Sequence, residues 1–257
     1  MKRTNTWRSK LFVLLVLLFN YLPIIVVVVY SFNASKYGNW EGFSLEWYEK
    51  LFRNTQIMRS LKNSLFLAVS SCALSILIGT AGAVGMAKSR FRAQNLLENV
   101  SLIPMMLPEI ILGMAYLSFF SILQVPFGMV TLIIAHTAFC IPYVYMLVKA
   151  RLVGLDKSLP EAARDLGASE ARVFFDITLP LIAPAIASGM LLSFAMSFDD
   201  VIISLFVTGV NVNTLPLKVY TSLKTGITPE INALCTLMLA FTVLAVAASA
   251  LISRKKS

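Results

Sequence analysis

The chain is short of charge, of histidine and of paired cysteine. Only 14% of its 257 residues are Asp, Glu, Lys or Arg, where a soluble domain carries roughly 25%. The single histidine, His136, builds no metal site without acidic or thiol partners close in space. Its place in an apolar run suits a hydrogen bond between helices. Cys72, Cys140 and Cys235 lie in apolar runs with no C-x-x-C or other ligand spacing. They read as small hydrophobes inside helices, not as a redox or metal motif. The phosphate loop G-x-x-x-x-G-K-[ST] is absent too, so any nucleotide site of that kind belongs to another subunit.

Apolar residues fill the space that charge leaves. They make up 58% of the chain, against roughly 45–50% in soluble domains. The net charge of +9 raises the thought of nucleic acid, but the rest of the chain is too apolar for that partner. Basic residues in loops on the cytoplasmic side of a membrane explain it better. Six runs approach the roughly 20 apolar residues that a spanning helix needs: 11–32, 65–87, 100–123, 128–148, 184–207 and 231–252. The third contains Pro104, Pro108 and Glu109, and the fourth contains Pro142. The expectation is an all-α polytopic membrane protein with six transmembrane helices in a single domain over 1–257. Lys2, Arg3, Arg8 and Lys10 precede the first run. That run exceeds a signal peptide's apolar core, and Phe32 spoils a small-x-small site before Ala34, so it reads as a retained helix. With the N-terminus inside, the inner segments carry fifteen basic residues and the outer ones seven. This asymmetry places both termini in the cytoplasm.

Two loops are informative. The outer loop, 33–64, holds Tyr37, Trp40, Phe43, Trp47, Tyr48 and Phe52, which suits an interfacial anchor or a lid over a pathway. Within it, Ser44-Leu45-Glu46-Trp47 is a start for a short amphipathic helix. The inner loop, 149–180, reads as two short helices. Ser158 and Glu161 form a capping box with Pro160 in the first turn. Ala162 to Leu166 continue the helix, and Gly167 ends it in a left-handed conformation. Ser169 caps a second helix through Phe174 and Phe175. Leu179, before Pro180, is a poor place to continue an α-helix. In the second run, Ser71, Ser75, Gly79 and Gly82 at helical spacing predict close packing on another helix.

The stretch SFAMSFDDVIIS, Ser193 to Ser204, puts Asp199 and Asp200 inside an apolar run. Each charged aspartate near a bilayer centre costs roughly 2.5–3.5 kcal/mol. In a continuous helix Gly189, Ser193, Ser197, Asp200, Ser204 and Thr208 share one face, and Asp199 points about 100° away with Leu192, Met196 and Ile203. That face lines a pathway or packs on a neighbouring helix. Asp200, Asp199 and Glu109 have no Lys or Arg inside the runs to neutralise them. They call for a cationic partner, with Ser197, Trp47, Tyr48 and Tyr116 as further pathway candidates. A structural hydrogen bond between helices is the other reading.

EAARDLGASEARVFFDITLP, Glu161 to Pro180, resembles the E-A-A loop of permease subunits of bacterial ABC importers. The pattern is met at Glu161, Ala162, Ala163, Gly167, Ile177, Leu179 and Pro180. The resemblance implies a type I ABC importer permease fold in the bacterial inner membrane, among lipid. It implies a coupling element at Glu161, Ala162, Ala163, Asp165, Gly167 and Glu170. It also implies a second related permease in a heterodimer, an extracytoplasmic binding protein, and two ATPase subunits that bind ATP and magnesium. The chain itself would be a transport subunit, with no cofactor, metal site or catalytic residue of its own. YSFNASKYG, GFSLEWYEKL, SLPEAARDLGAS and SFDDVIISLFVTG resemble the spermidine and putrescine permeases within that family, which implies polyamine import. Two alternatives remain open at this stage. One is the same machinery with thiamine, iron or a phosphonate as cargo, although three acids repel an anion. The other is a proton-coupled secondary transporter, which lacks a visible inverted repeat here.

Overall fold

A backbone in hydrocarbon must satisfy its own hydrogen bonds, and a helix does so within one segment. The computed structural model shows the apolar runs folded in this way. The structure describes residues 6–36, 39–88, 92–156, 158–210, 212–226 and 228–254. Lys2, Arg3, Tyr37, Arg90, Lys157, Lys255 and Lys256, used in the sequence reading, lie outside them.

The described elements are helical throughout: α1 (Thr6–Tyr30), α2 (Glu46–Arg53), α3 (Thr55–Lys88), α4 (Gln94–Met106), α5 (Glu109–Ile122), α6 (Met129–Val153), α7 (Ser158–Asp165), α8 (Glu170–Val173), a π-helical turn (Phe174–Thr178), α9 (Leu179–Asp199), α10 (Ile202–Val207), α11 (Leu215–Thr225) and α12 (Pro229–Arg254). α1, α3, α6 and the run Glu170–Asp199 are long and apolar enough to cross a membrane, and the pair α4–α5 makes a fifth candidate. The sixth expected span falls in α12, where Pro229–Val243 is an apolar helical stretch among the described residues.

Three departures from the sequence reading have local causes. The third run is two helices bent by 108°. Leu107 is extended, with ψ 141°, as the residue before a proline prefers, and α5 starts anew after Pro108. The fifth run breaks at Asp200, and its last turn is the separate helix α10. The chain does not stop at Leu179. A wide turn carries the helix past Pro180, with the Leu179 N–H reaching back to the Phe174 carbonyl. Such π-turns relieve the clash and missing donor that proline brings to a regular helix.

The chain divides into two compact units, 1–58 with 219–257, and 59–218. In the first, α12 packs on α1 and α2. Trp47 is buried and donates its indole N–H to the Asn33 carbonyl at 2.7 Å, while the Tyr48 hydroxyl lies 2.7 Å from Ser31 Oγ. Phe32 stacks on Phe43 and meets Tyr48. Ser44 accepts from the Glu46 N–H, starting α2 where the sequence placed a short helix. The outward side chains of α1, Phe12 and Phe19 among them, are exposed apolar groups, as hydrocarbon requires.

The second unit is built on α6. α6 packs against α9, and α10 against α5. Leu132, Ala135, Phe139 and Cys140 of α6 meet Leu67, Ile203 and Val207 in one cluster, and Val144 and Val148 meet Ala83 and Ile182 in another. Close approach comes from small residues. A Cβ at Gly79 would lie 2.9 Å from Val144 Cβ, and one at Gly189 would lie 3.5 Å from the Val144 backbone. The small stripe of α3 therefore packs within this chain, on α6 and α9. Gly79→Ala is expected to destabilise the unit by about 1–3 kcal/mol through overpacking. Gly85→Ala, where a Cβ meets nothing within 4 Å, is the control. Thermal unfolding of the two purified variants checks the difference.

Candidate functional site: a broken-helix carboxylate cluster and an inner coupling loop

α9 ends at Asp199. Asp200 leaves the helix, with φ −66° and ψ 129°. Its carboxylate then caps α10, accepting the Ile203 N–H at 3.1 Å and the Ser204 N–H at 2.8 Å. An anion is favoured there because it meets donors that have no partner within the helix. A third contact comes from α6. His136 is fully buried, with Nε2 3.4 Å from Asp200 Oδ2 and 3.2 Å from Ser204 Oγ. Its Nδ1 lies 2.9 Å from Ser197 Oγ, which lies 2.9 Å from Ser71 Oγ on α3. A carboxylate can only accept, so the tautomer that suits this contact carries its hydrogen on Nε2, with Nδ1 accepting from Ser197. The hydrogen bond expected of His136 is present. It also gives Asp200 a partner where the apolar runs hold no Lys or Arg.

Asp199 and Glu109 are placed differently. Both are exposed. Glu109 opens the first turn of α5 behind Pro108, where a negative charge meets the helix N-terminus. The two lie within electrostatic reach of each other and of Asp200. Of the other pathway candidates, Ser197 is buried in the chain of hydroxyls. Tyr116 is half-buried and stacks on Phe120, with ring centroids 6.3 Å apart. Trp47 and Tyr48 belong to the other unit, where they pin the outer loop. Ile203, read as sharing the Asp199 face, is fully buried in α10, because the break ends the helical register.

The inner loop folds as two short helices around Gly167. Gly167 has φ +84°. Its N–H meets the Arg164 carbonyl at 2.8 Å, and the Ala168 N–H meets the Ala163 carbonyl at 3.0 Å, a left-handed helix end. Ser169 caps α8 by accepting from the Arg172 N–H. The start of α7 differs from the expected capping box. Asp156 accepts from both the Ser158 N–H and the Ser158 hydroxyl. Those bonds hold the Asp156 carboxyl below the usual carboxylate range, the backbone donor contributing most. A lowered value means stability fully present above the ordinary range and lost as pH falls through the folded value. Protease sensitivity of 149–180 is therefore expected to stay flat from about pH 8 to about pH 5. Asp156→Ala should raise it across that window.

Glu170 ties the loop together. It accepts from Arg164 Nε at 2.5 Å on α7 and from Lys88 Nζ at 2.9 Å at the end of α3. A cavity of about 530 Å³ lies here, lined by Val84, Lys88, Asp156, Glu161, Arg164 and Glu170 among others. Glu161, Ala162 and Asp165 are exposed and Ala163 is half-buried. Leu166, 89% exposed, stands next to Gly167 as an apolar knob. The sequence reading overlooked it, although a leucine at the end of a polar helix was the available signal. It also overlooked Lys88, which only the fold brings to Glu170.

The family described as binding-protein-dependent transport system inner membrane component matches residues 74–256. The spermidine/putrescine transport system permease protein PotC of Haemophilus influenzae is 40% identical over 247 residues, covering 96% of each chain. PotC of Escherichia coli strain K12 is 42% identical, covering 92% of this chain and 90% of that one. The putrescine transport system permease protein PotI of the same strain is 41% identical, covering 91% and 86%. Among solved structures, a bacterial ABC transporter involved in import of the acidic polysaccharide alginate superposes with a TM-score of 0.72 at 16% identity, covering 99% and 98%. The MetNI methionine ABC transporter, in inward-facing conformations, gives 0.62 at 18%, covering 84% and 100%. These matches agree with the E-A-A loop and displace the secondary-transporter reading. The chain belongs to the family of inner membrane components of binding-protein-dependent transport systems, with the fold of ABC transporter permeases.

Proposed function

We propose that this permease carries a polyamine, spermidine or putrescine, into the cytoplasm as part of an ATP-driven importer. The observation that carries the reading is the exposed pair Glu109 and Asp199 beside the buried Asp200. α5, α9 and α10 contain no Lys or Arg, so the exposed charges are left for cargo. Polyamines are flexible methylene chains with spaced ammonium groups. Carboxylates meet the charges, and aromatic faces meet charge and methylenes alike. The names of the relatives support the same cargo.

The partners follow from the family resemblance. A second, related permease completes the membrane unit, an extracytoplasmic polyamine-binding protein delivers cargo, and two ATPase subunits bind ATP and magnesium. Both termini lie in the cytoplasm, where the basic residues are concentrated. Glu161, Ala162, Ala163, Asp165, Gly167 and Glu170 couple ATPase closure to the membrane helices, with Leu166 as an apolar contact for the docking cleft. In this mechanism the exposed carboxylates hold the cation on entry. Alternating access then releases it inward.

The test is uptake by the reconstituted assembly in vesicles, comparing labelled spermidine with labelled phosphonate. Accumulation of spermidine that needs ATP is expected. Uptake of the anion with polyamine ignored would reject the cargo, and competition by thiamine but not by polyamine would transfer it to another cation.

A further inference from the structure

We propose that His136 is a positioning residue of the transport site. Through Nε2–H on Asp200 it holds the break between α9 and α10 that presents Asp199 to the cargo. The inference deepens the polyamine reading and rests on it for the role of Asp199, though not for the geometry.

The break is a backbone fact that needs a cause. Val201, which follows it, has helical ψ −40°, and no proline or glycine lies between Ser197 and Thr208. A continuous helix is locally available, because only two angles depart from helical values near −42° and −63°: the Asp200 ψ, at 129°, and the Val201 φ, at −109°. What holds that angle is the Asp200 side chain. Its two oxygens take the first free donors of α10, and they can do so only from an extended Asp200. Its side chain is 3% exposed, and a carboxylate so buried needs further donors. His136 is the side chain that supplies one. The imidazole bridges the break, touching Ser197 before it and Ser204 and Asp200 after it. Ser71 of α3 continues the chain of contacts at 2.9 Å from Ser197. One ring on α6 thus fixes where α9 stops and where α10 starts. The neighbour of the pinned aspartate, Asp199, is turned to the exposed side with Glu109. His136 is itself fully buried and meets no cargo, so its effect on transport passes through Asp200.

Two readouts separate this claim from the cargo assignment. The first is the reaction rate of a cysteine at position 199 with a charged thiol reagent, measured in the assembled complex above the background of the chain without it. The second is the KM for spermidine uptake. Three replacements divide the ring's functions. His136→Gln offers an amide donor near the position of Nε2, His136→Asn offers one near Nδ1 only, and His136→Leu offers neither. With Asp199→Cys, the Leu and Asn variants are expected to slow the thiol reaction at least about tenfold, as loss of a hydrogen bond to a charged group allows. The Gln variant should restore it. With Asp199 intact, His136→Asn should raise the KM by a similar factor at unchanged maximal rate per assembled complex, and His136→Gln should leave it near the parent value. If the Leu variant fails to assemble, the Asn and Gln pair decides. Equal thiol rates in Asn, Gln and parent chains would overturn the proposal. Absence of spermidine uptake by the parent would reject the cargo and leave the thiol rates to judge the positioning.

Discussion

Asp200→Ala is expected to abolish transport and to destabilise the 59–218 unit by about 1–3 kcal/mol for each buried donor left unsatisfied. Three losses coincide in that variant. The Ile203 and Ser204 N–H groups lose their cap, the buried His136 Nε2 loses its carboxylate neighbour and keeps only Ser204 Oγ, and the extended Asp200 backbone loses the bonds that justify it. Asp200→Asn should lie between parent and alanine. Its amide oxygen still accepts one backbone N–H, but its NH₂ group faces His136 or the other N–H as a donor. Thermal unfolding of the purified complex, with the amount of chain in the membrane, measures the series. An alanine variant that melts and transports like the parent would contradict the cap.

Gly167→Val is expected to leave the chain inserted and the ATPase turning over while uptake falls at least tenfold, a loss of about 1.4 kcal/mol or more in coupling. The reason is the backbone. Gly167 sits at φ +84°, a region that costs an ordinary residue about 1–2 kcal/mol and a β-branched one more. Relief of that strain turns α8 relative to α7. This breaks the Glu170 contact with Arg164 and moves Leu166 out of register. Gly167→Asn is the control, since asparagine tolerates the left-handed region and should retain coupling. The ratio of ATP hydrolysed to spermidine transported reads the effect. A valine variant with the parent's ratio would remove the hinge from the mechanism.

The sequence and the structure agree where the signal is local. Apolar runs mark the positions of α1, α3, α6 and α9. Ser44, Ser169 and Gly167 do at their helix ends what their side chains and backbone freedom suit them to do. Pro108 marks the bend between α4 and α5. The reading departs where a residue's role is set by a distant partner. Asp200 looks like one member of a helical stripe because Ser197, Asp200 and Ser204 keep helical spacing. Only His136, on another helix, shows that the spacing conceals a break. The stripe packs inward on α6, so Asp200 is enclosed with Ser193 and Ser197, while Asp199 is exposed on the face of Leu192. Trp47 and Tyr48 look like aromatic platforms until the Asn33 carbonyl and Ser31 hydroxyl take their polar tips. The Leu179–Pro180 step misleads for a different reason. The π-helical turn before it depends on a bond from Leu179 to Phe174, which proline chemistry alone does not announce.

Exposed carboxylates that hold a polyamine are the centre of the proposed transport site. Their role is tested most directly by initial rates of ATP-dependent spermidine uptake in vesicles, with the parent chain and with the double variant Glu109→Gln, Asp199→Asn. Neither side chain supports the α10 cap or the E-A-A loop, so assembly and ATP hydrolysis should match the parent. The expected result is a KM raised at least about tenfold for each lost charge contact, or uptake lost altogether. Uptake of spermidine by the double variant at the parent's KM and rate would contradict it.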